Sequence, residues 1–373
     1  MRIVVIGLRG FPDIQGGVET HCEQLFTRIA ARGHEVIVLG RKPYMNPALT
    51  EYKGVRLIAL PCPRRKSLEA FLHTLVGIFE ARRWNPDLVH VHAIGPSLLV
   101  PAARLLGLKV ISTNHGPDYD RAKWGFVART MLRFGESMGS RFSNAVIAIS
   151  EPIAGNLRDT YGCDPAVIPN GVVLRTEPVG QDALKRFGID HGRYVLAVGR
   201  LVPEKGFHDL LDAFAMANLT GWKLVIAGKA DHADSYSTNL QQKAAAMPDV
   251  VMAGFVTGEP LAQLYAHAGL FVLPSYHEGL PIALLEAMSY GLSVLASDIP
   301  ANRQTGLPAS RMFPPGNVAK AAEQLEHFAT RPITDEEKNL QLKLISGNHD
   351  WDRIAEQTIA LYGSLLNPIS VSA

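Results

Sequence analysis

Short apolar runs alternate with segments of helical period along nearly the whole chain, and this alternation leaves few folds open. Residues 2–6, 36–39, 56–60, 88–91, 109–113 and 145–149 are apolar runs of strand length. Helical patterns lie between several of them, such as residues 18–32, stopped by Gly33. Strands that are apolar on both faces and joined by helices predict a parallel, doubly wound sheet covered on both sides. The pattern breaks at Ile168-Pro169-Asn170-Gly171. Residues 171–193 are rich in turn-forming and polar types and read as a linker leading into a short helix. A second series follows, with strands at 194–198, 223–227 and 250–252 and helices at 207–217 and 260–266. Two α/β units joined by a linker are expected to face each other across a cleft, where ligands commonly bind.

Composition narrows the class further. The chain has 373 residues, 47% hydrophobic and 19% charged, which suits two globular domains. The apolar run in MRIVVIGLRGF is too short for a secretory signal and no small-residue cleavage site follows, so it reads as a first strand. No apolar run approaches the roughly 18 residues of a membrane-crossing helix. Even residues 98–111 contain Pro101, Arg104 and Lys109. Cys22, Cys62 and Cys163 are scattered and show no metal-ligand spacing, so reduced thiols in the cytoplasm are expected. Net charge is +2, divided as +7 over residues 1–178 and −5 over 179–373. The basic first half favours an anionic surface or acceptor; nucleic acid is not an expected partner.

Chemistry concentrates in residues 269–297, GLFVLPSYHEGLPIALLEAMSYGLSVLAS. Residues 270–273 read as a buried strand, 275–279 as a polar loop, 281–289 as a helix and 293–296 as a second strand. Pro281 suits the helix start and Gly291 its stop. Ligands of open α/β sheets bind at the carboxyl ends of strands. The amides of Gly279 and Leu280 are expected at the helix N-terminus, an anion site. Glu278 in the loop and Glu286 in the helix set two carboxylates beside it. That combination suits a ligand with both phosphate and hydroxyls, such as a sugar nucleotide. Two ordinary surface glutamates on a buried α/β unit are the plainer alternative. The spacing Glu278-x7-Glu286, within SxxEGLPxxxLEAM, resembles the EX7E signature of retaining glycosyltransferases of the GT-B fold, specifically family 4 (GT4).

The resemblance continues in family order through Gly16-Gly17-Val18-Glu19, His115, Ser150-Glu151, Pro169-Asn170-Gly171, Gly199-Arg200 and Glu204-Lys205-Gly206. It assigns Gly16 and Gly17 to a loop that closes over the donor diphosphate; a tight structural turn is the alternative. The loop is not G-x-G-x-x-G, and Arg41 and Lys42 rather than an acid follow the second strand, which argues against a nicotinamide cofactor. Arg200 and Lys205 fall close after a strand end, where two cations suit a diphosphate. Phe255, in Gly254-Phe255-Val256, resembles the segment that packs against the base, where an apolar side chain suits a planar ring. In place of the family's small acidic or glycine-rich turn, Ala227-Gly228-Lys229 leads into a charged loop with Asp231, His232 and Asp234. Contacts to base or sugar at that point are therefore open.

His90, His92 and His115 all fall near strand ends. His90 and His92 lie on one face of an extended segment as a candidate metal pair, but with no third ligand evident, packing or hydrogen bonding is the expected role. The resemblance makes His115 the active-site residue that contacts the transferred sugar. Asp118-Tyr119-Asp120 and Asp350-Trp351-Asp352 both read D-x-D, but neither follows a strand of the second unit, so both are treated as incidental.

The resemblance implies two Rossmann-like doubly wound α/β domains in the GT-B arrangement. The acceptor domain would comprise residues 1–170 with a crossover helix in 351–373, and the donor domain residues 171–350. The implied reaction moves a sugar from an NDP-sugar to a glycan or lipid-linked glycan, with retention, in bacterial capsule, exopolysaccharide or O-antigen synthesis. Residues 7–20 look like rhamnosyltransferase-like enzymes of that kind. His115, Arg200, Lys205 and Glu278 would serve the chemistry. Gly16, Gly17, Gly199, Phe255, Gly279, Leu280, Pro281 and Glu286 would hold the donor. No metal or cofactor is expected, since cations replace the metal. A sugar-nucleotide epimerase, a phosphorylase, a non-catalytic sugar-nucleotide sensor and, against the glycine spacing, a nicotinamide oxidoreductase stay open as alternatives. Arg64-Arg65-Lys66 and Arg82-Arg83 flank an apolar helical stretch, residues 68–79, which reads either as a contact with the inner membrane face or as a core helix with solvated ends.

Overall fold

The structure is a computed structural model that describes residues 1–63, 69–120, 125–174, 180–231 and 233–367. The chain divides into two compact units, Met1–Asn170 with Trp351–Ala373, and Gly171–Asp350. The basic run Arg64-Arg65-Lys66, His232 and part of the expected linker lie outside the described residues.

The first unit opens with β1 (Arg2–Ile6), α1 (Gly17–Ala31), β2 (Glu35–Arg41), β3 (Glu51–Tyr52), β4 (Val55–Leu60) and α2 (Glu69–Arg83). It continues with β5 (Leu88–His92), α3 (Ile94–Ser97), α4 (Val100–Leu105), β6 (Val110–Asn114) and α5 (Phe126–Phe142). β7 (Ala145–Ala148), α6 (Glu151–Tyr161) and β8 (Ala166–Val167) complete the sheet. Its order is β3-β4-β2-β1-β5-β6-β7-β8, parallel except for β3 against β4. The apolar runs are continuous because both faces are covered. Ile3 and Val5 enter one core and Val4 and Ile6 the other. The last helix of the chain also joins this unit, packing on α1 with Trp351 and Tyr362 in the core.

The second unit contains α7 (Asp182–Phe187), β9 (Tyr194–Val198), α8 (Phe207–Met216), β10 (Lys223–Ala227), α9 (Ser235–Ala245), β11 (Val250–Gly254) and α10 (Gly258–His267). β12 (Leu270–Leu273), α11 (Ile282–Ser289), β13 (Val294–Ser297), α12 (Pro300–Arg303) and β14 (Met312–Phe313) follow. α13 (Val318–Ala329) and α14 (Asp335–Asn348) close the unit, and α15 (Trp351–Leu366) is the helix that packs on α1. The sheet is all parallel, in the order β11-β10-β9-β12-β13-β14. Both units are thus Rossmann-like, as the alternation predicts.

The first unit buries several histidines without charge. Burial pulls His73 down to about 4, with Arg41 adding to the shift, and pulls His90 down to about 3. The unfolded chain binds these protons near the ordinary value of 6.5, so stability is present above that pH and drains away as pH falls toward 4. Between pH 7 and 4 His73 alone should cost roughly 3 kcal/mol. Thermal melts across that range should show His73→Leu with a shallower acid loss than wild type; parallel curves would contradict this source.

Candidate active site

Ligands of doubly wound sheets bind where the strand order reverses. In the second sheet that point lies between β9 and β12, which are neighbours although β10 and β11 lie between them in the chain. The loop after β9 runs through Gly199 and Arg200 to a 3-10 turn at Pro203–Lys205. The loop after β12 runs from Pro274 to Pro281. The two loops are stitched together. Gly206 has φ +66°, and a Cβ there would stand 2.2 Å from the Pro274 carbonyl oxygen, so only glycine allows this approach. The Tyr276 amide donates to the Glu204 carbonyl at 2.9 Å.

This contact brings Lys205 to Glu278. The ammonium donates to Oε1 of Glu278 at 2.5 Å, and the Ser275 hydroxyl donates to the same oxygen at 2.6 Å. The two charged side chains are 16% and 10% exposed. Burial opposes ionisation of Glu278, but the Lys205 charge and the two hydrogen bonds outweigh it and hold the carboxyl below its ordinary value. Arg200 also stands at the end of β9, where its Nη1 donates to Asp231 Oδ2 at 2.9 Å. Asp231 belongs to the charged loop that departs from the family pattern, and its pairing with the expected diphosphate ligand was not legible from spacing. Gly199 lies beside the Lys205 stem: a Cβ there would meet Lys205 Cδ at 3.5 Å.

Helix α11 starts at Ile282, with Pro281 as an extended N-cap, one residue later than the sequence reading. Gly279 and Leu280 therefore precede the cap rather than forming the first turn, and Leu280 is buried. Glu286 lies in the second turn of α11, where it accepts from the Tyr265 hydroxyl of α10 at 2.8 Å. Burial pushes its carboxyl up to about 7, against the opposing pull of that hydrogen bond. Phe255 follows β11 half-buried, with the Lys229 ammonium 4.7 Å above its ring.

In the first unit the strand order reverses between β1 and β5, and histidines gather there. His92 at the end of β5 shares a hydrogen bond of 3.0 Å with His115, from its Nδ1 to Nε2 of its partner. His21 of α1 comes within 4.9 Å of the His115 ring and bonds Asn170 at 2.9 Å. One ring nitrogen from each of His21, His92 and His115 lies within 4.8 Å of the other two. These three nitrogens are close enough to hold a metal ion together, a grouping that brings in His21 from a helix and leaves out His90. His90 uses both nitrogens elsewhere, on Tyr362 at 2.6 Å and Thr113 at 2.7 Å, in the hydrogen-bonding role expected of it. Burial, reinforced by neighbouring imidazoles, holds His115 well below its ordinary value, so it is neutral at pH 7.

The glycine-rich loop is locked by an ion pair that sequence reading missed. Arg9 Nε meets Glu19 Oε1 at 3.0 Å, and Arg9 also donates to the Gln15 carbonyl. Gly16 is the N-cap of α1 with φ +153°, and Gly17 is its first residue. A second missed residue is Glu136 of α5, which is buried. Its carboxylate accepts from Asn114 at 2.8 Å, Tyr119 at 3.1 Å and Tyr161 at 3.0 Å, fixing the segment that carries His115. Of the D-x-D pairs, Asp352 bonds Arg32 at 2.8 Å and Trp351 is core, so that motif is structural.

Two Rossmann-like α/β units, each with its sheet's switch point described above, match the GT-B fold. A profile described as Glycosyltransferase Family 4 matches residues 15–176, and one described as Glycosyl transferases group 1 matches residues 182–343. The chain is 26% identical to a glycogen synthase of Mycobacterium tuberculosis, covering 97% of this chain and 94% of that one. It is 27% identical to a phosphatidyl-myo-inositol mannosyltransferase of Mycobacterium leprae, covering 97% and 96%. It is also 27% identical to a GDP-mannose:cellobiosyl-diphosphopolyprenol alpha-mannosyltransferase of Komagataeibacter xylinus, covering 75% and 72%. Among solved structures, a sucrose-phosphate synthase from Thermosynechococcus elongatus superposes with a TM-score of 0.83 at 23% identity, covering 98% of this chain and 99% of that one. HepE from Anabaena, in complex with UDP-glucose, superposes with a TM-score of 0.79 at 20% identity, covering 98% and 100%. The chain belongs to the glycosyltransferases that join a family 4 domain to a group 1 domain.

Removing one member of a buried ion pair strands the other. Glu278→Ala should therefore destabilise the second unit by about 3 kcal/mol in denaturant unfolding. The double variant Lys205→Met with Glu278→Leu should recover most of that loss. An equal loss in both would show that the pair does not act as a charge pair.

Proposed function

We propose that this protein is a retaining glycosyltransferase whose second unit binds an NDP-sugar and whose acceptor is a glycan or lipid-linked glycan of a bacterial surface polysaccharide. The observation that carries the reading is the Lys205–Glu278 pair, with Ser275, at the junction of β9 and β12. The relatives from M. leprae and K. xylinus are named for acceptors that carry a lipid, which supports the lipid-linked choice. The transferred sugar is a hexose or deoxyhexose, and the resemblance of residues 7–20 to rhamnosyltransferase-like enzymes supports the deoxyhexose.

In this scheme the diphosphate binds at the ends of β9 and β12. Lys205 exchanges a carboxylate oxygen for a phosphate oxygen, so its charge is already in place before the donor arrives. Arg200 has five N–H donors, enough to hold Asp231 and a phosphate together. The bond from the anomeric carbon to the phosphate oxygen breaks, and a bond to the acceptor oxygen forms on the same face. The acceptor's proton passes to the departing phosphate. Stabilising charge on that leaving group supplies most of the barrier reduction, and losing either cation should cost about 10²-fold or more. Glu278, released from Lys205, orients sugar hydroxyls; its role as a covalent nucleophile is less favoured because two donors already occupy one of its oxygens. Glu286 accepts from the ribose hydroxyls. His115, neutral, hydrogen-bonds a hydroxyl of the transferred sugar. With two cations facing the diphosphate, no divalent ion is required.

A thermal-shift screen of UDP-, GDP- and dTDP-sugars should find one that stabilises the protein by about 2.7 kcal/mol at 100 times its Kd. Arg200→Ala should abolish that shift, and turnover should survive EDTA. Loss of turnover on chelation would contradict the metal-free scheme and direct attention to His21, His92 and His115.

Glu286 gives a separate test. Its carboxyl titrates at about 7, so the ionised form that accepts from ribose fades below that pH. Affinity for an intact NDP-sugar, whose diphosphate diester does not titrate here, should fall by up to about tenfold per unit below pH 7. Glu286→Gln should flatten the profile. A wild-type affinity constant from pH 6 to 8 would contradict this role.

A further inference from the structure

The first unit carries an exposed apolar and basic face that the proposed chemistry does not use. Helix α5 packs inward through small residues: a Cβ on Gly135 would stand 2.2 Å from the Ile94 carbonyl oxygen, and one on Gly139 would stand 2.8 Å from Ser97 Cβ. Five of its large apolar residues, Phe126, Val127, Met131, Phe134 and Phe142, are exposed instead. Phe126 is 85% exposed, Val127 71% and Phe134 54%. Val127, Met131, Phe134 and Phe142 recur at helical spacing as a single stripe, all of them exposed. The exposed charges of α5 are Arg129, Arg133 and Arg141. Its one acid, Glu136, is buried and turned toward Asn114, Tyr119 and Tyr161. On the same side of the sheet, α3 touches both α2 and α5, and α2 exposes Leu72, Val76 and Phe79 ahead of Arg82 and Arg83. Among the described residues no helix is long and apolar enough to cross a membrane.

We infer that the outer face of α5, continued by α2, docks on an anionic lipid bilayer. An apolar stripe flanked by cations, with no exposed carboxylate on the helix, matches acyl chains beneath acidic headgroups. A second copy of this chain fits worse, because a two-fold contact through this face would set the same arginines against each other. The helix is also tied to the proposed chemistry: Glu136 on its inner side holds Asn114, next to His115. Docking through α5 would present that segment to an acceptor anchored in the bilayer. This purpose rests on the lipid-linked acceptor proposed above; the docking itself does not.

The test is co-sedimentation of the full chain with vesicles, without nucleotide, so that failure of the donor reading leaves the result untouched. Vesicles of phosphatidylglycerol with phosphatidylcholine should bind the protein at low salt, and phosphatidylcholine alone should not. Binding should weaken steeply at high salt. The double variant Phe126→Glu with Val127→Glu should reduce partitioning at least tenfold, and Arg129→Ala about fivefold. Unchanged melting temperatures would show that these exposed substitutions leave the fold intact. Three outcomes would overturn the inference: no binding to anionic vesicles, binding that both variants retain, or a concentration-dependent dimer in sedimentation velocity that the double variant abolishes.

Discussion

The candidate site of the second unit depends on one electrostatic contact, the largely buried pair between Lys205 and Glu278. Two loops that leave neighbouring strands would drift apart if their tips were only polar. Gly206 lets the backbones touch, and the ion pair then fixes two side chains of opposite charge at the sheet's switch point. Desolvating both charges is costly, so a pair of this kind adds little stability over well-packed apolar residues. Such an arrangement is characteristic of sites where a charged ligand takes over one partner's role. It keeps a cation oriented in a poorly solvated position without leaving it unbalanced.

The first unit uses a different device. Its switch point is lined by imidazoles that burial keeps neutral rather than by paired charges. Neutral rings can donate and accept hydrogen bonds but add no field of their own. Charges of this unit are instead locked in pairs, as in Arg9–Glu19 and Arg41–Glu69, held by neutral donors, as in Glu136, or displayed on its exterior, as on α5. In the proposed scheme, transition-state charge stabilisation falls to the second unit and hydrogen-bonded positioning to the first.

Most strands were legible because each is a continuous apolar run, covered on both faces; β1, β9, β10 and β12 match their predicted bounds. The strands β3, β8 and β14 have two residues each and leave no period to read. Helix α5 escaped for a physical reason: it buries glycines and exposes phenylalanines, so its apolar period marks the outer face. Within the candidate site, the positions of Lys205 and Glu278 after strand ends were legible, but their ion pair was not, since it depends on β9 and β12 being neighbours. The pairing of Arg200 with Asp231 did not, since it depends on how the loop after β10 folds back. His21 was missed because a histidine on a helix, far in sequence from His92, joins it only through the β1–β5 neighbour relation. Glu136 was missed because its three partners come from three separate segments.

The central claim is that donor binding belongs to the junction of β9 and β12. Hydrogen–deuterium exchange with and without an NDP-sugar tests it without assuming an acceptor. The account predicts slowed exchange in residues 199–206 and 275–290. Protection confined to residues 7–20 and the segments around His92 and His115, with the 199–206 and 275–290 amides unchanged, would contradict it.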